Sequence, residues 1–593
     1  MKTGFLITAR LKSTRLPKKL LREVEGRPIF SHMIERLKLA KRVDEIIICT
    51  STNPQDDPLE ALAKTEDISC FRGDEDDVIK RLSDAAEAFN LDYLLSITAD
   101  CPFSDPDYAD RIVKLYEESD ADLICALDLP HGAFSYGVKP SAFRKVIEIK
   151  DDTNTEVWTR YFSDTALFKV LDLSIDDPRH RQPGLRMTLD YPEDLEFFKA
   201  VFSHLYRPGE VFSLDSIVDL LASHPEIVAI NSHCTTAFKK RWIRQSSIKL
   251  KQRFEVKSAA VIGSGSMGKR HLKNLRSLGI ENLYALRSGL RNDVELDTSL
   301  GVVELSDFDA LFENKPDVAI ISNPTSSHLE TINRCLPHVC GIFIEKPLSH
   351  SLDNIEKLLG EFKNRLVTSF VGYNLQFHPV LKRIQDFLDS QNPGKPLLFQ
   401  GQVGQWIEDW HPGRNYREAY YARNDLGGGA LLSLIHEIHM ATELLGPALC
   451  VSCVLPKSDL LSIDVDVIAD LMIEHASGSI SQIHIDLIQR PAHRQGVVTC
   501  ERGWINYDLI KRTVVSVGDD AKDESASPIA NDSAEQTYLD EMATFLDFVR
   551  QGKIRHEHDA WKATQSLAVV ESARVAAQTQ TVVRLPEWVI NLK

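Results

Sequence analysis

Three things are scarce in this sequence, and each scarcity removes a class of function. No apolar run reaches the ~18 residues that a membrane helix needs, so no membrane insertion is expected. Positive charge is in deficit: 69 Lys and Arg stand against 86 Asp and Glu, a formal net charge of −17. Such a chain repels nucleic acid and anionic lipid, because phosphate contacts need clustered cations. Any polyanion bound here must sit in a local basic pocket, which suits a small nucleotide better than DNA. Paired cysteines are also missing. The ten cysteines are scattered, and the C-x-x-C at Cys450 and Cys453 lies in the alternating run ALCVSCVL, one face of a strand with no second ligand pair nearby. Reduced thiols in a cytoplasmic protein are the expectation. The start, MKTGFLITAR, passes directly into a strand without a secretory pattern. No internal repeat is visible.

What is present is length and pattern. At ~100–200 residues per domain, 593 residues allow about three to five domains. The 43% apolar content is ordinary for a globular chain. Residues 3–9, 45–50, 91–98 and 121–127 are short apolar runs that read as buried parallel strands. Helical periodicity fills the gaps, as at 28–42 and 76–89, so an α/β sheet covered on both faces is expected to about residue 232. A basic stretch follows, with Lys239, Lys240, Arg241, Arg244, Lys249, Lys251 and Arg253. It lacks a sustained apolar face and reads as a connector. At Ala259 a second strand–glycine turn–helix pattern begins. Beyond about 370 the runs 396–407, 449–456, 465–474 and 478–487 predict an antiparallel sheet, and 533–551 and 557–578 predict helices. The acidic, serine-rich 518–533 predicts a mobile loop.

Residues 9–20, Ala-Arg-Leu-Lys-Ser-Thr-Arg-Leu-Pro-Lys-Lys-Leu, fall between the first strand and the next helix, where open α/β sheets bind ligands. Arg10, Arg15, Lys18 and Lys19 surround a Ser-Thr pair. Guanidinium forks and backbone N–H groups can wrap a triphosphate there, although a solvated basic turn would look the same locally. Asp100 ends another apolar strand, and Asp190 a third segment, RMTLDYPED. Two such carboxylates converging on a basic loop make a magnesium-assisted site for attack on an α-phosphate. The ARxxSxRLPxK loop, the later DCP and the LDxPEDL segment resemble cytidylyltransferases that activate acidic sugars, the spore-coat-polysaccharide type above all, over about residues 3–230. The resemblance implies a nucleotide-diphospho-sugar-transferase-like α/β domain in which a substrate oxygen attacks the α-phosphate of CTP and pyrophosphate leaves. By motif position it implies that Arg10, Ser13, Arg15 and Lys19 hold CTP, with Arg10 and Lys19 serving catalysis, and that Asp100 and Asp190 hold Mg²⁺. Arg72 and Asp77 in FRGDEDDV would line the nucleotide or sugar pocket. Lys18 departs from the pattern, which usually has Gly there; its side chain could crowd the phosphate loop or add a contact.

In the second half, Gly263-Ser-Gly265-Ser-Met-Gly268 follows an apolar strand and opens a helix, the context a dinucleotide fingerprint requires. Gly263 permits the turn, Gly265 admits a pyrophosphate, and Gly268 allows close helix–strand packing. The next strand ends in Arg287 and Ser288 rather than an acid, which favours NADP over NAD. Asn323-Pro-Thr325-Ser-Ser-His328 and Glu345-Lys346-Pro347 both follow apolar strands. With Tyr373, Asn374 and His378, then Tyr416, Arg417 and Tyr420, and the run Leu426-Gly-Gly-Gly-Ala-Leu-Leu-Ser433-Leu-Ile-His436-Glu437-Ile-His439, they resemble the Gfo/Idh/MocA oxidoreductases over about residues 257–590. The resemblance implies a Rossmann domain followed by an α+β domain with an open antiparallel sheet. Asn323, Thr325, His328 and Glu345 would lie around the coenzyme, Lys346 would orient and protonate the substrate oxygen, and His436 would be the acid/base. The subgroup with this glycine run usually has Asp at positions 433 and 439. Ser433 and His439 change the pocket's polarity, and could change its substrate or its activity.

The expected organisation is therefore a cytidylyltransferase domain at 1–235, a basic linker at 236–256, a Rossmann domain at 257–370, and an α+β substrate and oligomerisation domain at 371–593. The expected chain is a cytoplasmic homo-oligomer acting on CTP and a sugar, sugar phosphate or polyol phosphate, with NADP or NAD and Mg²⁺. One reading joins reduction of a keto-sugar phosphate to formation of a CDP-linked product for surface polysaccharide. A second makes a CMP-linked ulosonic-type acid beside a sugar dehydrogenase. A third keeps an active transferase beside a non-catalytic dinucleotide-binding module.

Overall fold

A computed structural model describes residues 1–592 apart from Thr14, Ala166, 236–247, 288–295, 391–392, 458–459, 519–526 and 529–533. The chain divides into two units, Met1–Lys251 and Gln252–Lys593. Most of the expected basic connector, and most of the acidic loop at 518–533, lie outside the described residues.

In the first unit, alternation along the central strand builds two cores. Thr3–Thr8 sends Phe5 and Ile7 into one cluster and Leu6 into another, so both faces of the sheet need cover. Helices Ile29–Leu37, Pro106–Ser119 and Pro192–Leu205 supply it on one side, and Val78–Ala88 and Pro140–Ile149 on the other. Across the sheet the strands run Ser69–Gly73, Glu45–Ser51, Thr3–Thr8, Tyr93–Thr98, Tyr136–Val138, Leu123–Cys125, Val170–Asp172. The first four are parallel. The four runs expected as parallel strands do run parallel, but between two of them lies Tyr136–Val138, outside those runs and antiparallel to both its neighbours. At three residues it is too short to show a period, and Leu123–Cys125 is a shorter strand than its apolar run suggested. Ile248 and Leu250 are buried in the second cluster and Leu250 bridges to Lys150, so the connector's end packs onto this unit.

The second unit opens with six parallel strands in the order Val302–Leu305, Asn282–Leu286, Ser258–Ile262, Val318–Ile321, Gly341–Glu345, Thr368–Gly372. The order reverses beside Ser258–Ile262, which opens a crevice at the strands' carboxyl ends. Met542, Phe545 and Val549 of helix Ala534–Gln551 pack on Val261, Phe343 and Phe370 of this sheet, although that helix follows the large sheet in sequence.

The large sheet has nine strands, ordered Ser527–Pro528, Thr513–Val517, Gly503–Asp508, His493–Cys500, Pro396–Gly404, Ile480–Asp486, Ile468–His475, Ala448–Val454, Val583–Arg584. It is antiparallel except where Pro396–Gly404 and Ile480–Asp486 run parallel. Period-two alternation buries Ala469, Leu471, Ile473 and His475 and leaves Asp470, Met472 and Glu474 outside. The buried face receives helices His436–Leu445 and Ala560–Thr579. No helix among the described residues is long and apolar enough to cross a membrane.

Candidate active sites

In the first unit the basic loop and the two carboxylates converge. Lys19 Nζ donates to Asp100 Oδ2 at 2.7 Å and to Asp190 Oδ1 at 3.1 Å. Arg15 Nη2 reaches Asp190 Oδ1 at 3.3 Å, while its Nη1 is buried with no hydrogen-bond partner among the described residues. A buried cationic N–H without an acceptor costs ~1–3 kcal/mol or more, and an anionic ligand would relieve it. Burial disfavours the Lys19 ammonium, but Asp100 and Asp190 outweigh it and raise the group above its ordinary value. Burial likewise pushes the Asp100 carboxyl up, and Lys19, with a hydrogen bond from Thr98, holds it below its usual range. Both carboxylates already grip a cation, so their chemistry fits Mg²⁺.

Several side chains that sequence reasoning gave no role hold this arrangement. Asp194, fully buried at the start of helix Pro192–Leu205, accepts the N–H groups of Asp190 and Tyr191. Arg186 donates twice to Asp194, at 2.8 Å each, and once to Asp190 at 3.1 Å. The four-residue spacing of Arg186, Asp190 and Asp194 was the available signal. Asp56 accepts from Leu11 N and Ser51 Oγ, pinning the loop from behind. Ser13 Oγ accepts from Leu16 N within the turn. Arg10 donates to Glu75 O, a carbonyl that the fully buried Arg81 also holds. Lys18 is exposed and left-handed, with φ 52°. A backbone in that region favours glycine.

Arg72 and Asp77 are engaged elsewhere. Arg72 donates to Ser51 O and Asn53 O and pairs with Asp57 at 2.7 Å. Asp77 caps helix Val78–Ala88 and forms a buried pair with Lys150 and Thr155. These contacts tie the FRGDEDDV loop to its surroundings.

In the second unit, helix Ser266–Ser277 starts at Gly265. A Cβ on Gly268 would stand 2.0 Å from Gly263 O, so only glycine permits this helix–strand approach. A Cβ on Gly265 would meet nothing within 4 Å. The turn thus leaves open space over a helix N-terminus, which suits a pyrophosphate. Asn323 Oδ1 is buried and unpartnered among the described residues, while its Nδ2 donates to Thr331. His328 lies 2.9 Å from Pro347 O and 3.0 Å from Asn323 O, joining two of the predicted turns. Thr325 is buried and packs near Gly427. Glu345 accepts from His271 at 2.6 Å. Arg287 pairs with Glu304 at 2.6 Å, so a 2′-phosphate there competes with a carboxylate. Ser288 lies outside the described residues.

Lys346 Nζ donates to the main-chain oxygen of Ser433 at 2.6 Å. The identity of the side chain at 433 is therefore immaterial to this anchor, and Ser433 Oγ itself is buried and unpartnered among the described residues. Burial lowers the Lys346 ammonium to about 8. His436 is buried, packs edge-on to Tyr373, and makes no ring hydrogen bond among the described residues. Burial, then the Lys346 charge, holds it well below the ordinary histidine range and hence neutral. His439 differs. It stacks on Tyr373 at 3.7 Å, and its nitrogens are taken by Gln376 and Ser566. That is a satisfied core histidine, with burial lowering it to about 3. A mobile proton on Lys346 beside an unpartnered neutral imidazole can accompany hydride transfer at a carbonyl or hydroxyl carbon.

Comparisons with known proteins divide the chain in the same way. Residues 5–215 match the cytidylyltransferase family, 257–373 the oxidoreductase family with an NAD-binding Rossmann fold, and 381–506 the GFO/IDH/MocA C-terminal domain. The spore coat polysaccharide biosynthesis protein SpsF of Bacillus subtilis is 30% identical over 229 residues, 37% of this chain and 95% of that protein. Myo-inositol 2-dehydrogenase of Thermotoga maritima is 26% identical over 306 residues, 49% of this chain and 88% of that protein. A levoglucosan dehydrogenase solved with NADH shares the fold of the second unit, with a TM-score of 0.52 and 17% identity over 56% of this chain and all of that one.

Proposed function

The chain joins a member of the cytidylyltransferase family to a member of the Gfo/Idh/MocA oxidoreductases, and on that premise we propose a bifunctional enzyme of activated-sugar biosynthesis. The second unit reduces a keto-sugar phosphate with a nicotinamide coenzyme. The first transfers CMP from CTP to the resulting polyol phosphate, giving a CDP-linked product for a surface polysaccharide. One observation carries the reading: one chain holds a lysine kept charged between two carboxylates and another lysine, beside an unpartnered histidine, free to lose its proton.

In the first unit Arg15 and Lys19 receive phosphate oxygens of CTP, with Arg10 and Ser13 shaping the loop that presents them. Asp100 and Asp190 would hold Mg²⁺, which supplies neutralisation of phosphate charge. As the substrate oxygen attacks the α-phosphorus and its bond to the bridging oxygen breaks, Lys19 stabilises charge on the departing pyrophosphate. In the second unit the turn at Gly263–Gly268 seats the coenzyme, which supplies the hydride when bound. As hydride reaches the carbon, Lys346 gives the one proton the carbonyl oxygen needs, and the neutral His436 imidazole orients that oxygen by a hydrogen bond. Arg287 is the group for a 2′-phosphate, in competition with Glu304, so the coenzyme is NADP or NAD.

The test is a mass-spectrometric screen of CTP with NADPH or NADH against sugar phosphates and acidic sugars, run on two variants. Asp100→Asn abolishes pyrophosphate release and leaves coenzyme binding intact. Gly265→Val does the reverse, since its side chain fills ligand space without touching protein. Loss of both activities in either variant, or turnover with another triphosphate but not CTP, overturns the proposal.

A further inference from the structure

Beside His436 sits an ion pair that the reaction as described does not use. Glu437, the next residue on the helix, is 1% exposed, and Arg494 on strand His493–Cys500 is 20% exposed. Arg494 Nε and Nη2 donate to the two Glu437 oxygens at 2.6 and 2.8 Å. This side-on grip consumes two nitrogens and fixes the plane of the guanidinium. The third, Nη1, makes no hydrogen bond among the described residues and is not among the buried unpartnered atoms, so it opens onto solvent.

The surroundings favour an anion at that nitrogen. Lys346 hangs from the main-chain oxygen of Ser433, four residues before the Glu437 that holds Arg494, and the Arg494 charge disfavours the charged forms of Lys346, His436 and His378. Glu437 is taken up by Arg494 itself, and Glu345 by His271. Ser433 is neutral, and His439 is held neutral in the core. The polar groups left over include the Lys346 ammonium, the His436 imidazole and Arg494 Nη1, beside the buried Tyr507 hydroxyl. Glu437 balances the Arg494 charge, so the site offers an anion a directed N–H beside the Lys346 ammonium rather than a surplus of cation.

Resting on the reading of the second unit as a sugar oxidoreductase, we propose that Arg494, oriented by Glu437, is the specificity residue that receives an anionic substituent of the substrate, a phosphate or a carboxylate. The oxidoreductase substrate is then an anionic sugar rather than a neutral polyol, and Lys346 and His436 address an oxygen a few bonds from the anion.

The experiment titrates the full chain, saturated with NADH, with inorganic phosphate, acetate or glycerol, following bound-NADH fluorescence, a signal confined to the second unit. Phosphate or acetate is expected to change it saturably at millimolar concentration, and glycerol is not; the stronger of the two anions distinguishes phosphate from carboxylate. Arg494→Met alone strands a buried Glu437, so the double variant Glu437→Gln/Arg494→Met, which removes both charges, is tested beside Arg494→Lys. The anion response falls at least tenfold in the double variant, with NADH affinity within twofold, and Arg494→Lys restores part of it. An unchanged anion response in the double variant, or none in the wild type with NADH bound, overturns the proposal. Failure of every keto-sugar to oxidise NADH, with the anion response intact, would instead count against the oxidoreductase reading.

Discussion

Lys19 and Lys346 are both buried lysines near the carboxyl ends of a parallel sheet, and they have opposite electrostatics. Burial works against the ammonium in each. Lys19 answers it with two carboxylates at 2.7 and 3.1 Å and stays charged. Lys346 has a carbonyl oxygen as its hydrogen-bond acceptor and falls to about 8. The difference teaches that desolvation alone does not decide the charge of a buried lysine; the partners do. The first unit has built a fixed charge, the second an amine whose charge lies close to its tipping point.

The largest test of that contrast removes each amine. Lys346→Met lowers the rate of coenzyme oxidation by ~10²–10⁴, with pyrophosphate release unaffected. Lys19→Met lowers pyrophosphate release by ~10²–10³ and leaves coenzyme oxidation alone. Both are read as kcat on the same preparation, and a Lys346→Met variant that keeps more than about a tenth of its rate breaks the comparison.

The pH profiles sharpen it. Reduction needs the Lys346 ammonium as proton donor, so its rate is level at low pH and falls as pH rises through about 8. Oxidation needs the neutral amine and rises through the same value. Lys346→Arg removes that inflection. Pyrophosphate release shows no inflection from Lys19 in this range, because its carboxylates raise that group above its ordinary value. An inflection near 8 in the transferase profile that Lys19→Arg abolishes would contradict this account.

The smallest expected effect concerns the two nucleotide turns. Each places a residue in the left-handed region: Gly263, with φ 97°, in the second unit and Lys18, with φ 52°, in the first. Lys18 is exposed and bears this strain with a Cβ. Lys18→Gly is expected to stabilise the first unit by ~1 kcal/mol, a rise in Tm of ~2–4 °C, in calorimetry with CTP absent. A fall in Tm would show that the left-handed backbone is not strained there.

Much of this was legible because it is local. The glycine fingerprint, the basic loop and the apolar strands that precede them lie within a dozen residues of one another, and strand periodicity with turn chemistry reports such things directly. Short or covered elements were not legible. Tyr136–Val138 has too few residues to alternate, and the strands from His493 to Val517 carry the polar residues of an open sheet face. Arg72 and Asp77 read as pocket residues by their motif, yet their charges are met by Asp57 and by Lys150.

By itself the sequence determined that there are two nucleotide-binding α/β units, and which loops carry their cations and glycines, because those signals need only neighbours along the chain. What only the tertiary structure decided is the state of each group. Lys19 meets partners 81 and 171 residues away, Lys346 hangs from a carbonyl 87 residues on, and Arg494 is aimed by a carboxylate 57 residues before it. A side chain's charge depends on how much water it loses and which opposite charges replace that water, and both are set by contacts between distant segments.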